Sequence, residues 1–236
     1  MKLYGLQKLT LLDFPDRVAA LIFLDGCNFR CPFCQNSDLV LSPDLLQETS
    51  LDEFEDMLKK RQKLLDGICI SGGEPTLHKD LPSFLAMIKE YGYQIKLDTN
   101  GSNPDMLEAL ISQKLLDYVA MDIKAGRQHY IQVCGLDSSS GKAPSLFEKI
   151  CRSIRLLMNS PVEYEFRTTA VKGLHSALDF QDIALWIPGA SHYYIQNFRD
   201  CPQILQEGHS FAPFSDQELG AFLNIVKPSI PSALIR

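Results

Sequence analysis

The sequence predicts an α/β fold with parallel strands, arranged as an incomplete barrel of six strand–helix units. Three observations carry this expectation. Six short segments read as strands, several of them apolar and rich in Ile, Val, Phe or Tyr, as strands buried on both faces should be. Helix-start signals fall between them, and most of the intervals exceed the roughly dozen residues that a parallel crossover needs. A closed eight-unit barrel takes about 250 residues. A chain of 236, with an N-terminal segment and a long first loop, therefore suits a partial (β/α)6 TIM-like barrel. An open doubly wound sheet is the alternative reading.

Residues 1–17 precede the first expected strand, 18–24, and a cysteine-bearing loop follows it directly. Ser50 with Glu53 has the S-x-x-E spacing of a capping box and opens a helix ahead of the second strand, 67–71. A helix from about Asp80 should stop at Gly92, before the third strand at 94–99. Asn103-Pro104 reads as an N-cap and first helical position ahead of the fourth strand, 117–123. Ser145 with Glu148 precedes the fifth strand, 162–169, and Ser215 with Glu218 follows the sixth, 192–196. Residues 138–140 read as a polar loop, and the absence of repeats and linkers makes 1–236 a single domain.

With 45% hydrophobic and 22% charged residues, the chain can bury one substantial core. A formal net charge of −6 argues against a general nucleic-acid or anionic-membrane surface. Residues 1–12 lack the apolar stretch of a signal peptide, and no run approaches the roughly 20 apolar residues that span a bilayer. The expectation is a cytoplasmic protein with no nucleic-acid or membrane partner. Seven cysteines is an odd number, and in a reducing compartment metal or redox chemistry is favoured over a disulfide framework.

Three of those cysteines form Cys27-Asn-Phe-Arg-Cys31-Pro-Phe-Cys34, in a loop marked as irregular by Gly26 and Pro32. A C-x3-C-x2-C loop without a fourth cysteine nearby can hold a four-iron cubane and leave one iron open to a substrate. A zinc knuckle is the competing reading of C-x2-C, although no second half exists; Cys69 and His78 are the closest later candidates. Phe29, Pro32 and Phe33 would wall such a site from water, or could simply be core. Cys69 and Cys151 read as small buried hydrophobes. Cys134 and Cys201 lie in loops, and Cys201 is the one that a barrel would bring towards its active face.

At these residues the sequence resembles the radical S-adenosylmethionine superfamily, whose hallmark is C-x3-C-x2-C with an aromatic residue, here Phe33, before the third cysteine. The resemblance implies a 4Fe-4S cluster on Cys27, Cys31 and Cys34. Its open iron would chelate S-adenosylmethionine, which is split to a 5′-deoxyadenosyl radical. In a barrel the loops after the strands form the active face, and four further segments fit. Ser71-Gly72-Gly73-Glu74-Pro75 ends the second strand; paired glycines let a ligand approach the backbone. The resemblance implies that Gly72, Gly73 and Glu74 grip the methionine amino group. Asp98-Thr99-Asn100-Gly101 and Met121-Asp122-Ile123-Lys124 end the third and fourth strands; as isolated charges they could be a solvated rim. Resemblance to glycyl radical enzyme activases implies instead that Asp98, Thr99, Met121 and Asp122 surround a monovalent cation, while Lys124 meets the cofactor carboxylate, with Asn100 beside it.

Along the fifth strand Glu163, Glu165 and Arg167 share one face, so Arg167 is either a partner in a buried ion pair or a cofactor contact. Gln196 ends the sixth strand where pyruvate formate-lyase activases carry a histidine. The N-terminal Leu9-Thr-Leu-Leu-Asp-Phe-Pro-Asp16 also resembles such activases, and the likeness is strongest to the anaerobic ribonucleoside-triphosphate reductase activating group. Gln35 departs from the histidine that many activases carry after the third cysteine. The 35–66 interval has no cysteine, which disfavours the subfamilies with a ferredoxin-like insert. A glycyl radical enzyme, in the form of anaerobic ribonucleotide reductase, and flavodoxin or ferredoxin are the implied partners. Synthesis of a small molecule such as carboxydeazaguanine, or a non-catalytic zinc or iron–sulfur module, are the competing functions.

Overall fold

The computed structural model describes residues 1–137 and 143–236; the loop expected at 138–140 lies outside the described residues. All six expected strands are present, displaced by at most one residue at either end. They are β2 (Ala19–Leu24), β4 (Gly67–Gly72), β5 (Gln94–Thr99), β6 (Tyr118–Asp122), β7 (Glu163–Ala170) and β8 (Tyr193–Asn197). Three more strands extend the sheet: β1 (Leu3–Thr10), β3 (Glu48–Thr49) and β9 (Leu234–Ile235). The order is β3-β1-β2-β4-β5-β6-β7-β8-β9, parallel from β2 onwards, with β1 antiparallel to both neighbours. This order follows the chain from β2 to β9 without reversing. A doubly wound sheet would reverse at a switch point, so the architecture is the open, barrel-like one.

The N-terminal segment corrects the expectation that the sheet begins at residue 18. β1 escaped notice because only Leu3, Tyr4 and Thr10 are buried along it and its register to β2 shifts twice, which erases the period-2 signal. After β1 the chain inserts Phe14 into the base of the barrel, against Tyr118 at a centroid separation of 5.9 Å. Gly67 makes room: a Cβ there would stand 2.7 Å from the Phe14 ring.

The helices are α1 (Ser37–Leu41), α2 (Leu51–Arg61), α3 (Leu81–Glu90), α4 (Pro104–Ser112), α5 (Tyr130–Val133), α6 (Ala143–Met158), α7 (Ala177–Trp186) and α8 (Asp216–Val226). Ser50 caps α2 by accepting from the Glu53 N–H at 3.1 Å, and Asn103 caps α4 ahead of Pro104. Ser215 and Glu218 form the reciprocal box of α8. Gly92 ends α3 with φ +85°. Ser145 is not a cap: α6 includes Ala143 and Pro144, and proline is tolerated in a first helical turn, so the helix starts earlier. The box that was missed is Ser176 with Asp179 at α7, with aspartate in place of the glutamate in the motif.

Side chains on one face of the strands, among them Ile22, Ile70, Leu97, Met121 and Phe166, build the main core against the helices. The opposite face lines the barrel interior. On β2 and β4 it is apolar, with Ala19, Leu21 and Cys69; on β5 to β7 it carries Lys96, Asp98, Asp122, Glu165 and Arg167. Cys69 is thus fully buried, as expected, but between strands rather than against helices. Among the described residues no helix is long and apolar enough to cross a membrane.

Candidate active site

A cavity of about 1030 Å³, including its mouth, opens at the C-terminal ends of the parallel strands. Each of the six expected strands delivers residues to it. Cys27, Cys31, Cys34 and Phe33 come from the loop after β2, and Ser71, Gly72 and Gly73 from the end of β4. Asp98, Thr99 and Asn100 come from β5, Asp122 and Lys124 from β6, Arg167 and Thr169 from β7, and Gln196 from β8.

Backbone contacts from distant segments hold the cysteine loop in place. The Arg30 N–H donates to the Cys134 carbonyl at 2.9 Å, and its guanidinium returns to the carbonyls of Cys27 and Phe29. Gly135 lies so close that a Cβ would sit 1.9 Å from the Arg30 oxygen. After β8, Leu205 and Gln206 donate from their N–H groups to the Cys34 and Pro32 carbonyls, both at 3.0 Å. Gln35 reaches the Arg199 carbonyl, and Asn36 donates to the Gly72 carbonyl at 3.0 Å. Cys201 is half-buried beside this strap but does not line the cavity, whereas Cys134 is fully buried behind Cys31.

Burial pushes the Cys27 thiol up to about 11 and raises that of Cys34. Cys31 is lowered instead, because the Cys134 thiol hydrogen-bonds to it more strongly than burial opposes. Cys27 and Cys34, costly to ionise in a dry pocket, need a bound cationic group to hold them as thiolates. Among the described residues no three His, Cys, Asp or Glu side chains are grouped to hold a metal ion. Cys27, Cys31 and Cys34 all line the cavity, and three thiols without a fourth ligand fit an iron–sulfur cube with one open corner better than a closed structural zinc site.

The Gly72-Gly73 turn is glycine for a reason that the motif did not disclose. A Cβ on Gly72 would stand 2.2 Å from the Leu24 oxygen, and one on Gly73 would stand 1.9 Å from the Gly26 oxygen. The missing side chains make room for the chain's own β2 end, and this presses the turn against the start of the cysteine loop.

Glu74 does not line the cavity; it is fully buried. One oxygen accepts from the Thr76 N–H and hydroxyl and from the Thr99 hydroxyl at 2.7 Å; the other accepts from the Asn100 N–H at 2.6 Å. Burial raises this carboxyl and the donors pull it back. Glu74 therefore staples the β4 turn to the β5 turn. Glu74→Ala would strand two buried backbone N–H groups, with an expected cost of about 3 kcal/mol in denaturant unfolding. An unchanged midpoint would rule the staple out.

Asn100, held in this way, turns its side chain to the Asn28 oxygen at 3.0 Å and to the Cys27 sulfur at 3.8 Å. Met121 faces away from the cavity and is fully buried, with its terminal methyl over Gly101. Asp98 accepts from Ser71 at 3.0 Å, pairs with Lys96, and lies 3.5 Å from the Arg167 guanidinium. Asp122 pairs with Arg167 at 3.0 Å and with Lys124 at 2.8 Å. Burial would raise both aspartates, but the cations outweigh it: Asp98 is lowered, and Asp122 falls to about 2. Lys124 is raised by Asp122 and Cys31 despite its burial, so it stays charged.

His175, absent from the sequence-based site, supports two of these groups. Its Nδ1 accepts from the Val171 N–H at 3.1 Å, which leaves the proton on Nε2 to donate to the Lys124 carbonyl at 2.7 Å. Its ring meets Phe33 edge-on at 6.1 Å. Burial lowers its pKa and keeps it neutral. Its sequence context, Gly-Leu-His-Ser, carries no motif.

The family model of the radical SAM superfamily matches residues 21–179, from β2 to the start of α7. The chain belongs to the radical SAM superfamily. Members of this superfamily use S-adenosylmethionine and a 4Fe-4S cluster. A Methanocaldococcus jannaschii protein provisionally named a glycyl-radical enzyme activating enzyme is 34% identical, over 98% of this chain and 94% of its own. The pyruvate formate-lyase-activating enzyme of Listeria monocytogenes is 26% identical over 52% of this chain and 53% of its own, so about half of that enzyme is matched. Among solved structures, Streptococcus suis SuiB superposes with a TM-score of 0.68 at 13% identity, covering 92% of this chain and 48% of that one, a likeness of fold. This radical SAM enzyme therefore has glycyl-radical enzyme activating enzymes as homologues.

Proposed function

We propose that this enzyme installs a glycyl radical on a partner enzyme, anaerobic ribonucleoside-triphosphate reductase, with flavodoxin or ferredoxin as electron donor. The observation that carries the reading is one cavity that unites three thiols, a paired-glycine turn and a charged Asp98, Asp122, Lys124 and Arg167 set. When bound, the cluster and S-adenosylmethionine supply a one-electron reductive cleavage whose carbon radical removes hydrogen from a glycine.

The protein does the rest. Cys27, Cys31 and Cys34 would hold the cluster, and Phe29 and Phe33, buried at 2% and 6% exposure, would keep water from it. Gly72 and Gly73 present backbone groups to the methionine amino group. Lys124, held charged by Asp122, offers a point charge to the methionine carboxylate. Asn100, Arg167 and Gln196 complete the walls around the rest of the cofactor. A monovalent cation at Asp98, Thr99, Met121 and Asp122 would compete with Lys96, Lys124 and Arg167 for the two carboxylates, and Met121 could offer it only a backbone oxygen; dependence of cofactor affinity on the alkali ion tests it.

Anaerobically reconstituted protein with a strong reductant should release 5′-deoxyadenosine and, on adding the reductase, an EPR doublet from a glycyl radical. Without 5′-deoxyadenosine the whole reading fails. With it, but with no radical on any glycyl radical enzyme, the partner class is wrong and a small-molecule substrate takes its place.

A further inference from the structure

The charged interior does not end at the cofactor cavity. Two residues below Arg167 on the same face of β7, Glu165 is fully buried. Its Oε2 accepts from the Tyr118 hydroxyl at 2.9 Å. Its two oxygens also receive the fork of Arg236, at 3.1 and 3.4 Å. Arg236 follows β9, donates its N–H to the Ile195 carbonyl at 3.0 Å, and stacks its guanidinium 3.7 Å from the centre of the Tyr194 ring. Arg167 stands between two sets of anions. It is 3.0 Å from Asp122 and 3.5 Å from Asp98 on the cavity side, and 4.0 Å from Glu165 below.

We infer that Arg236 and Tyr118 are positioning residues for the cofactor cavity: by satisfying both oxygens of Glu165, they leave Arg167 turned up towards Asp122 and Asp98. A buried carboxylate without its partners pulls strongly on any cation within reach, because little solvent screens it. Without Arg236, Arg167 is the only guanidinium among the described residues that remains near Glu165. It would swing down and break its bond to Asp122, leaving the cavity wall misshapen and short of positive charge. The lower ion pair thus governs the upper one through competition for a single guanidinium. The inference rests on the reading that Arg167 serves the cofactor cavity.

The test measures the Kd of S-adenosylmethionine for the anaerobically reconstituted holoenzyme, with iron content as a control and the cofactor-induced change in the EPR signal of the reduced cluster as a second readout. Arg236→Met should raise Kd about tenfold at unchanged iron content. Tyr118→Phe, a milder change that keeps the ring packed on Phe14, should raise it about threefold. Adding Glu165→Gln to either variant removes the competing charge and should restore affinity, a rescue that a merely structural defect would not show. Affinity unchanged in Arg236→Met and Tyr118→Phe, or a loss that Glu165→Gln does not reverse, overturns the inference. Arg167→Met separates the two levels. If it too binds normally, the reading of the cavity falls and the inference with it; if it alone loses affinity, only the inference falls.

Discussion

Cys31→Ala is expected to leave a folded protein that retains almost no iron and cleaves S-adenosylmethionine more than about 100-fold more slowly, beyond the loss typical of an outer-shell change. Cys31 is the most buried of the three thiols, at 7% exposure, and the one whose pKa is lowered rather than raised. It is therefore the thiol best prepared to bind as thiolate. Alanine keeps the loop's backbone bonds, because Arg30 is held by the Cys134 carbonyl and Pro32 by the Gln206 N–H, neither through the Cys31 side chain. Iron analysis and the visible absorption of the reconstituted protein read the outcome. Cys134→Ala is the control: its thiol lies outside the cavity, so most of the iron should remain. Full iron in Cys31→Ala would mean that the cluster is held elsewhere.

Gly73→Ala is expected to destabilise the fold by more than about 3 kcal/mol and to impair cluster uptake together with it. The added methyl would overlap the Gly26 carbonyl, one residue before Cys27. Relieving that overlap means parting the two turns, which would break the bond from the Glu74 N–H to the Gly26 oxygen at 2.7 Å. Backbone on both sides leaves no flexible side chain to yield. Gly92→Ala offers the contrast: its φ of +85° is unfavourable, but a Cβ would meet nothing within 4 Å, so its cost should be only about 1 kcal/mol. Equal denaturation midpoints for the two variants would remove the packing argument.

Among the parallel strands β2, β4 and β6 were legible as short apolar runs, as burial on both faces requires, and β7 by its period-2 alternation. Every cavity residue expected at a strand end lies there, with two departures. Glu74 turned away from the cavity because its neighbours Thr76, Thr99 and Asn100 offer it four donors, and Met121 because period-2 alternation assigns it to the helix-facing side while Asp122 takes the interior. β1 was illegible because one exposed face and two register shifts leave no pattern to detect.

The amino-acid order by itself determined which chemistry is present and at which strand end each group emerges, since ligand spacing and strand periodicity are local properties. Only the tertiary structure decided what clamps the cysteine loop, why the paired glycines must be glycine, and which anions compete for Arg167. The clamps are bonds such as Gln35 to the Arg199 carbonyl, between residues 164 positions apart. A carbonyl is the same on every residue, and bonds to the main chain therefore leave no mark in the sequence of the segment that accepts them.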